Sequence, residues 1–318
     1  MKYFFVLFII LTISFGSLYA QNVSDFEIQI NDNGSVTITN YKGAGGEITI
    51  PEHIFNMPVT GIKGGTRENR WSEISGGAFQ GKNLTKVTIL AKIKVIEDYT
   101  FSSNQLISVT LPETLEIIRS AAFYQNQLTN VTLPANLEII EWSAFQENRL
   151  TSITIPAKVA WIAGYAFYRN ALTSVTIPDS VTYIGNDAFS SNRLTNVIIG
   201  NGVTIIGSRA FSADSDWRSN NTNAITSITL GNSIKYIGDQ AFNKHRASSL
   251  VIPDGIVIIG NDAFSSNNRN ITAITIGNNA AFSSDTFDNN FYTVYRNNRR
   301  RAGKYTFTNS DWTLSPKQ

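Results

Sequence analysis

The chain contains no cysteine. That absence excludes disulfides, thiolate metal sites, a cysteine nucleophile and a lipoprotein anchor, which needs a cysteine at its cleavage point. Charge is scarce as well. Asp, Glu, Lys and Arg make up 16% of 318 residues and balance to +2, so the protein as a whole has no electrostatic case for binding nucleic acid. Histidine occurs only as His53 and His245, and no Ser-His-Asp order can be assembled around either. No H-E-x-x-H, phosphate-binding loop or dinucleotide fingerprint is present, so neither catalysis nor a cofactor is expected. Asp214 and Asp216 lack the D-x-[DN]-x-[DN]-G spacing of a calcium loop, and no metal is expected there. Past the N-terminus no stretch approaches the roughly 18 apolar residues that a membrane-spanning helix needs.

The N-terminus itself reads MKYFFVLFIILTISFGSLYAQ. Lys2 forms a short positive region, Tyr3 to Phe15 an apolar one, and Ala20 is a small residue suited to a cleavage site. Residues 1–20 are therefore expected to be a signal peptide, and the protein to be exported, with no transmembrane segment in the mature chain.

Most of the rest is repetition. Phe79, Phe101, Phe123, Phe145, Phe167, Phe189 and Phe211 stand 22 residues apart, and Phe242 and Phe264 follow after a step of 31. The shared pattern is L-x-x-V-x-I-P-x-x-V-x-x-I-G-x-x-A-F-x-x-N-x. The segment LTSVTIP, rich in β-branched residues and closed by proline, predicts a short strand and a turn. Leu172, Val175 and Ile177 would face inward, Ser174 and Thr176 outward. A unit this short cannot bury its own apolar face and must stack on its neighbours, which places successive strands parallel in a curved sheet, about 4.8 Å apart. The Ala-Phe column is expected to fill the space between coils. Asn104, Asn126, Asn148, Asn170 and Asn192 recur just before each strand, where a stacked amide can pair the turn backbone coil after coil. His245 stands in that same column and is given a turn role.

These residues resemble the leucine-rich repeats of BspA-like surface proteins, which are common in host-associated bacteria, notably oral anaerobes and treponemes, and occur in trichomonads. The resemblance covers about residues 45–290. Many members carry cysteine where this chain has asparagine, a departure that leaves the fold unchallenged. The expected fold is a right-handed, curved leucine-rich-repeat solenoid, mostly β with irregular or short helical outer segments, capped at both ends. Residues 21–83 read as an N-terminal cap, with a hairpin around Asn31–Gly34 and a first atypical repeat, and residues 63–73 as a surface loop. The repeats span residues 84–290, with a polar loop inserted near 213–222 that carries Trp217. Residues 291–318 are expected to form a final hairpin around a basic turn.

Three surfaces are candidates for binding. The outward strand column includes Thr132, Thr154 and Thr176, small and hydrogen-bond-capable, suited to broad or multivalent contact, although strand propensity alone explains threonine there. A second column, Val95, Ile117, Ile139, Trp161, Tyr183, Ile205, Tyr236 and Ile258, is apolar throughout. It reads first as the core of the opposite wall; exposed, it would mark an interface. The third is a basic cluster holding Arg299, Arg300 and Arg301, either a solvated turn or a contact for acidic polysaccharide or an acidic partner. The family resemblance implies adhesion at the cell surface or after secretion, with host matrix proteins such as fibronectin or fibrinogen, host cells or other bacteria as partners. A periplasmic protein contacting cell-wall polymer or other envelope proteins is the alternative.

Overall fold

A computed structural model describes residues 22–66, 76–213, 222–265, 271–277, 280–282, 285–287, 290–308 and 311–316. The chain winds as a parallel β-solenoid whose coils are held together along three lines.

The first line is the phenylalanine column. From Phe79 through Phe264 the rings stack at centroid separations of 5.1–5.5 Å, and Phe287 adds one more member at 5.5 Å. Apart from the first pair, tilted by 20°, the interplanar angles stay within 12°. Every ring from Phe79 to Phe264 is fully buried, and the alanine before most of them leaves room for the backbone of the next coil. That backbone is itself paired: the amide of Phe145 donates to the carbonyl of Ala166 at 2.8 Å, and that of Phe167 to Ala188 at 2.8 Å. Turning the chain this tightly requires left-handed backbone twice per coil. Tyr99, Ala121, Ser143, Tyr165 and Asp187 before the rings, and Ser103, Gln125, Glu147, Arg169 and Ser191 after them, all have φ of 53–57°. Each such non-glycine residue costs about 1–2 kcal/mol, a strain that only the stacked neighbours hold in place.

The second line is the asparagine ladder. Asn126 is typical. Its Oδ1 accepts from the amide of Leu106 in the preceding coil at 3.0 Å, while its Nδ2 donates to the carbonyls of Phe101 at 2.9 Å and Phe123 at 3.2 Å. Asn104, Asn148, Asn170 and Asn192 repeat the arrangement. After the insertion Asn223 takes the position, accepting from Leu194 at 3.0 Å and donating to Phe189 at 3.0 Å. His245 follows as a variant. Its Nδ1 accepts from the amide of Ala247 at 3.0 Å, so the ring proton sits on Nε2 and is donated forward to the carbonyl of Phe264 at 3.0 Å.

The third line is β pairing, and here the two walls differ. The longer strands expected to make one curved sheet pair in three separate groups. Gly46–Ile50, Leu84–Ile89 and Ser108–Thr110 form one, Ser174–Ile177, Asn196–Ile199 and Ser227–Thr229 a second, and Ser249–Ile252 with Ala273–Ile276 lead into the third. Between the first two groups the coils splay. The amide of Thr129 reaches Ile107 at 3.5 Å, where the equivalent bond from Thr195 to Thr173 is 2.9 Å. On the other wall, pairs of residues from Val95–Ile96 to Ala281–Phe282 build an unbroken nine-stranded parallel sheet.

The N-terminal end is closed by the antiparallel hairpin Phe26–Ile30/Val36–Tyr41, to which Met57–Ile62 adds in parallel. The C-terminal end corrects the sequence expectation. Residues 291–318 are not simply a hairpin, because Phe291–Asn297 is an α-helix; the hairpin is Gly303–Thr308/Asp311–Pro316. Phe291 and Tyr295, four residues apart, share one helical face and bury it against Phe282, Phe287, Tyr305 and Trp312. Tyr305 donates its hydroxyl to the carbonyl of Arg301 at 2.9 Å, and burial pushes that phenol up to about 12.

Candidate functional surface

In eight of the nine two-residue strands of this sheet, all but Ala281–Phe282, the side chains alternate. The second residue, Ile96, Ile118, Ile140, Ile162, Ile184, Ile206, Ile237 or Ile259, is buried in the core. The first therefore points outward. This overturns the expectation that the apolar column is core: Trp161, Tyr236 and Ile258 are 44%, 44% and 49% exposed, and Ile205 is exposed too, while Tyr183, Val95, Ile117 and Ile139 are half-buried. Both residues of each pair are apolar, so alternation was invisible, and the invariant isoleucine claims the interior place. Parallel register aligns the column strand by strand, Ile139 beside Trp161, Trp161 beside Tyr183, Tyr183 beside Ile205 and Ile205 beside Tyr236. The result is a ribbon of apolar side chains, with Trp161 and Tyr183 stacked at 4.1 Å.

What covers the ribbon is decided two residues further on, where the side chain emerges on the same outer face. In the first coils that position holds Glu97, Arg119 and Glu141, and later Gly185, Gly207, Gly238 and Gly260. Arg119 Nε lies 3.0 Å from Glu97 and its Nη1 3.7 Å from Glu141, a charged lattice laid beside Val95, Ile117 and Ile139. Burial pushes the Glu97 carboxyl above the ordinary range, with the Arg119 guanidinium pulling the other way. The glycines leave the later coils bare. Their lack of a side chain is enforced by packing, since a Cβ at Gly238 would stand 2.4 Å from the backbone nitrogen of Ser208.

Trp142, Tyr165 and Tyr168 were missed in the sequence, although they flank the same region. Trp142 is half exposed, lies over Gly164 and leans on Tyr165 at 5.0 Å; Tyr165 meets Tyr168 edge-on at 5.2 Å, and the Arg169 guanidinium sits 5.1 Å from the centre of the Tyr168 ring. A signal was available, since the residue after the Glu/Gly column varies in type and turns aromatic only at position 142.

The other candidates lie apart from the ribbon. Thr132, Thr154 and Thr176 are exposed on the opposite wall, but only Thr176 stands in a paired strand, opposite Ile198; Thr132 and Thr154 lie where the coils splay. Arg299, Arg300 and Arg301 are exposed and follow the terminal helix, Arg299 and Arg300 in left-handed backbone, so they lie before the hairpin and not at its turn. Trp217 and the loop expected around it, the expected signal peptide, and most of the loop expected over 63–73 lie outside the described residues. Among the described residues no group of three His, Cys, Asp or Glu could hold a metal ion, and no helix is long and apolar enough to cross a membrane.

The sequence profile of the BspA type leucine-rich repeat region matches in six copies, over residues 38–148, 72–193 and 218–314. Among solved structures, a leucine-rich repeat protein from Bacteroides ovatus is 20% identical with a TM-score of 0.61, over 83% of this chain and 68% of that one. A leucine-rich repeat protein from T. pallidum is 21% identical at a TM-score of 0.42, covering 57% of this chain and 86% of its own. A leucine-rich cell surface protein from Faecalibacterium prausnitzii is 22% identical at 0.35, covering 81% and 93%. The first of these supports the fold; the other two are too distant in shape to carry an argument. No curated protein matches the chain.

Proposed function

The chain belongs to the BspA type leucine-rich repeat family, and from that premise we propose that it is an exported, non-catalytic adhesion protein that engages partner proteins along the bare half of its nine-stranded face. The family points to protein interaction. The observation that carries the surface assignment is the run Trp161, Tyr183, Ile205, Tyr236, Ile258, exposed except for the half-buried Tyr183, a contiguous apolar ribbon on one sheet. Aromatic side chains of this kind are the usual energetic anchors of interfaces. Apolar ribbons left in water are otherwise unfavourable, which is why they mark binding surfaces. The signal peptide, the family and the repetitive surface together support a location at the cell surface or in the medium, with host matrix proteins, host cells or other bacteria as partner classes.

The test is a binding titration of residues 21–318 on immobilised fibronectin, fibrinogen and a sulfated polysaccharide, at low and physiological salt. Saturable matrix-protein binding that survives physiological salt and drops about 10-fold or more in the double variant Ile205→Asp, Tyr236→Asp is expected. Unchanged binding by that variant would remove the ribbon from the reading. Binding to the polysaccharide alone, lost with salt, would transfer the function to Arg299, Arg300 and Arg301. Protection of the protein from protease added to intact cells would place it in the periplasm instead.

A further inference from the structure

We propose that the hollow between Trp142 and Trp161 seats a cationic side chain, arginine or lysine, presented by an extended segment of a partner protein. The proposal rests on the ribbon being the binding surface and names what is recognised at one end of it.

The hollow is a shallow depression open to solvent, about 390 Å³ in volume, lined by Ser120, Ile139, Glu141, Trp142, Trp161 and Ala163. Two of its walls are indoles, and both are supported from behind. Trp161 is backed by Tyr183 at 4.1 Å, which leaves its other face toward the Ile139 coil. Trp142 is supported by Tyr165 and by Gly164, where even a Cβ would stand 2.7 Å from the indole. Rigid aromatic faces carry negative electrostatic potential and attract cations.

The charge around them has the same sign. Glu141 accepts from the Ser120 hydroxyl at 3.1 Å and shares the single guanidinium of Arg119 with Glu97. Two carboxylates thus face one cation. One coil edge away Glu116 is paired with Lys94 at 2.7 Å, and Glu138, exposed and next to Ile139, acts on the same lysine from farther off. Within each group, Glu97–Arg119–Glu141 and Glu116–Lys94–Glu138, two carboxylates share one cation, with Lys63 and Lys92 lining the surface on the far side of Glu97. A cation entering the hollow meets the two indoles that line it and this excess beyond. A neutral sugar would find Ser120 and Glu141 already joined to each other, leaving the indole N–H groups as the remaining polar lining.

The experiment follows the indole N–H resonances of the full mature chain, which contains five tryptophans in all, with Trp142 and Trp161 assigned through Trp142→Phe and Trp161→Phe. The probes are the peptide acetyl-Gly-Thr-Arg-Thr-Gly-amide, the same peptide with citrulline for arginine, and cellohexaose. Saturable shifts at the two indoles are expected with the arginine peptide, about 10-fold weaker with the uncharged citrulline peptide, and about 3-fold weaker in Glu141→Gln. The spectrum itself shows whether each variant is folded. Equal response to arginine and citrulline, shifts confined to other indoles, or silence with all probes would overturn the proposal. A response to cellohexaose alone would make the hollow a glycan platform. If the arginine peptide leaves the indoles unmoved while the Ile205→Asp, Tyr236→Asp variant loses matrix binding, the hollow fails and the ribbon stands. The reverse pair of results would retain the hollow and discard the ribbon.

Discussion

Along the nine-stranded face, the coils that carry Glu97, Arg119 and Glu141 can be set against those that carry Gly185, Gly207, Gly238 and Gly260. Backbone, register and apolar column are the same in both. In the first set long charged side chains interlock across coils and half-bury the valine and isoleucines beside them; in the second nothing stands there, and Ile205, Tyr236 and Ile258 are exposed. That column therefore contributes to how much of the scaffold is offered to a partner, while Tyr183, beside Gly185, stays half-buried and is stacked on Trp161. Stability and display are separable in this architecture: the phenylalanine stack does not change between the halves, and the outer face does.

That separation can be tested at its foundation. Phe123→Ala in the charged half and Phe189→Ala in the bare half should each cost about 3–5 kcal/mol in urea unfolding, because both rings are fully buried within equivalent stacks, at 5.3–5.4 Å and 5.2–5.3 Å from their neighbours. Markedly unequal costs would mean that the halves differ inside as well. The outer column should behave in the opposite way. Gly238→Val drives a side chain into backbone 2.4 Å away and should cost about 3 kcal/mol, whereas Arg119→Val removes only partly exposed ion pairs and should cost less than about 1 kcal/mol. Similar values by the same measurement would break the comparison.

The smallest effect is one of pH. Burial raises the Glu97 carboxyl above its ordinary value of 4.5, more than Arg119 lowers it. A carboxyl raised by folding holds its proton more tightly in the folded state, so its contribution to stability is intact below the ordinary value and is lost as pH rises through the raised one. Glu97→Gln should therefore gain on the wild type as pH increases from about 4 to about 7, read from urea midpoints. A gain that instead grows toward acid would show that the Arg119 contact dominates. The glycine coils contain no equivalent group.

Much of this was legible in the residues, for a stated reason. The Phe and Asn columns recur with the period because every coil needs the same ring and the same amide, so they announce themselves. Even Asn223 could have been found, by moving Asp214's place in the pattern across the nine inserted residues. The orientation of the ribbon could not be read from Ile139-Ile140 or Ile205-Ile206, in which two apolar neighbours conceal which one faces in. The contrast between a constant isoleucine and a column that tolerates tryptophan, tyrosine and valine was the available clue. The terminal helix was hidden because Phe291, Tyr295 and the β-branched residues between them suit a strand as well, and only burial against Phe287 and Trp312 decides it.

One feature of the stack reaches beyond this molecule. Phe211 and Phe242 are separated by 31 residues yet meet at 5.1 Å and 8°, as if nothing had been inserted. Coils recognise one another through their rings and amides and disregard the length of chain between them. A repeat added or removed, or a loop placed between two, would leave the coils on either side the same ring contact to make. Length and loop content are thereby uncoupled from the contacts that hold the fold.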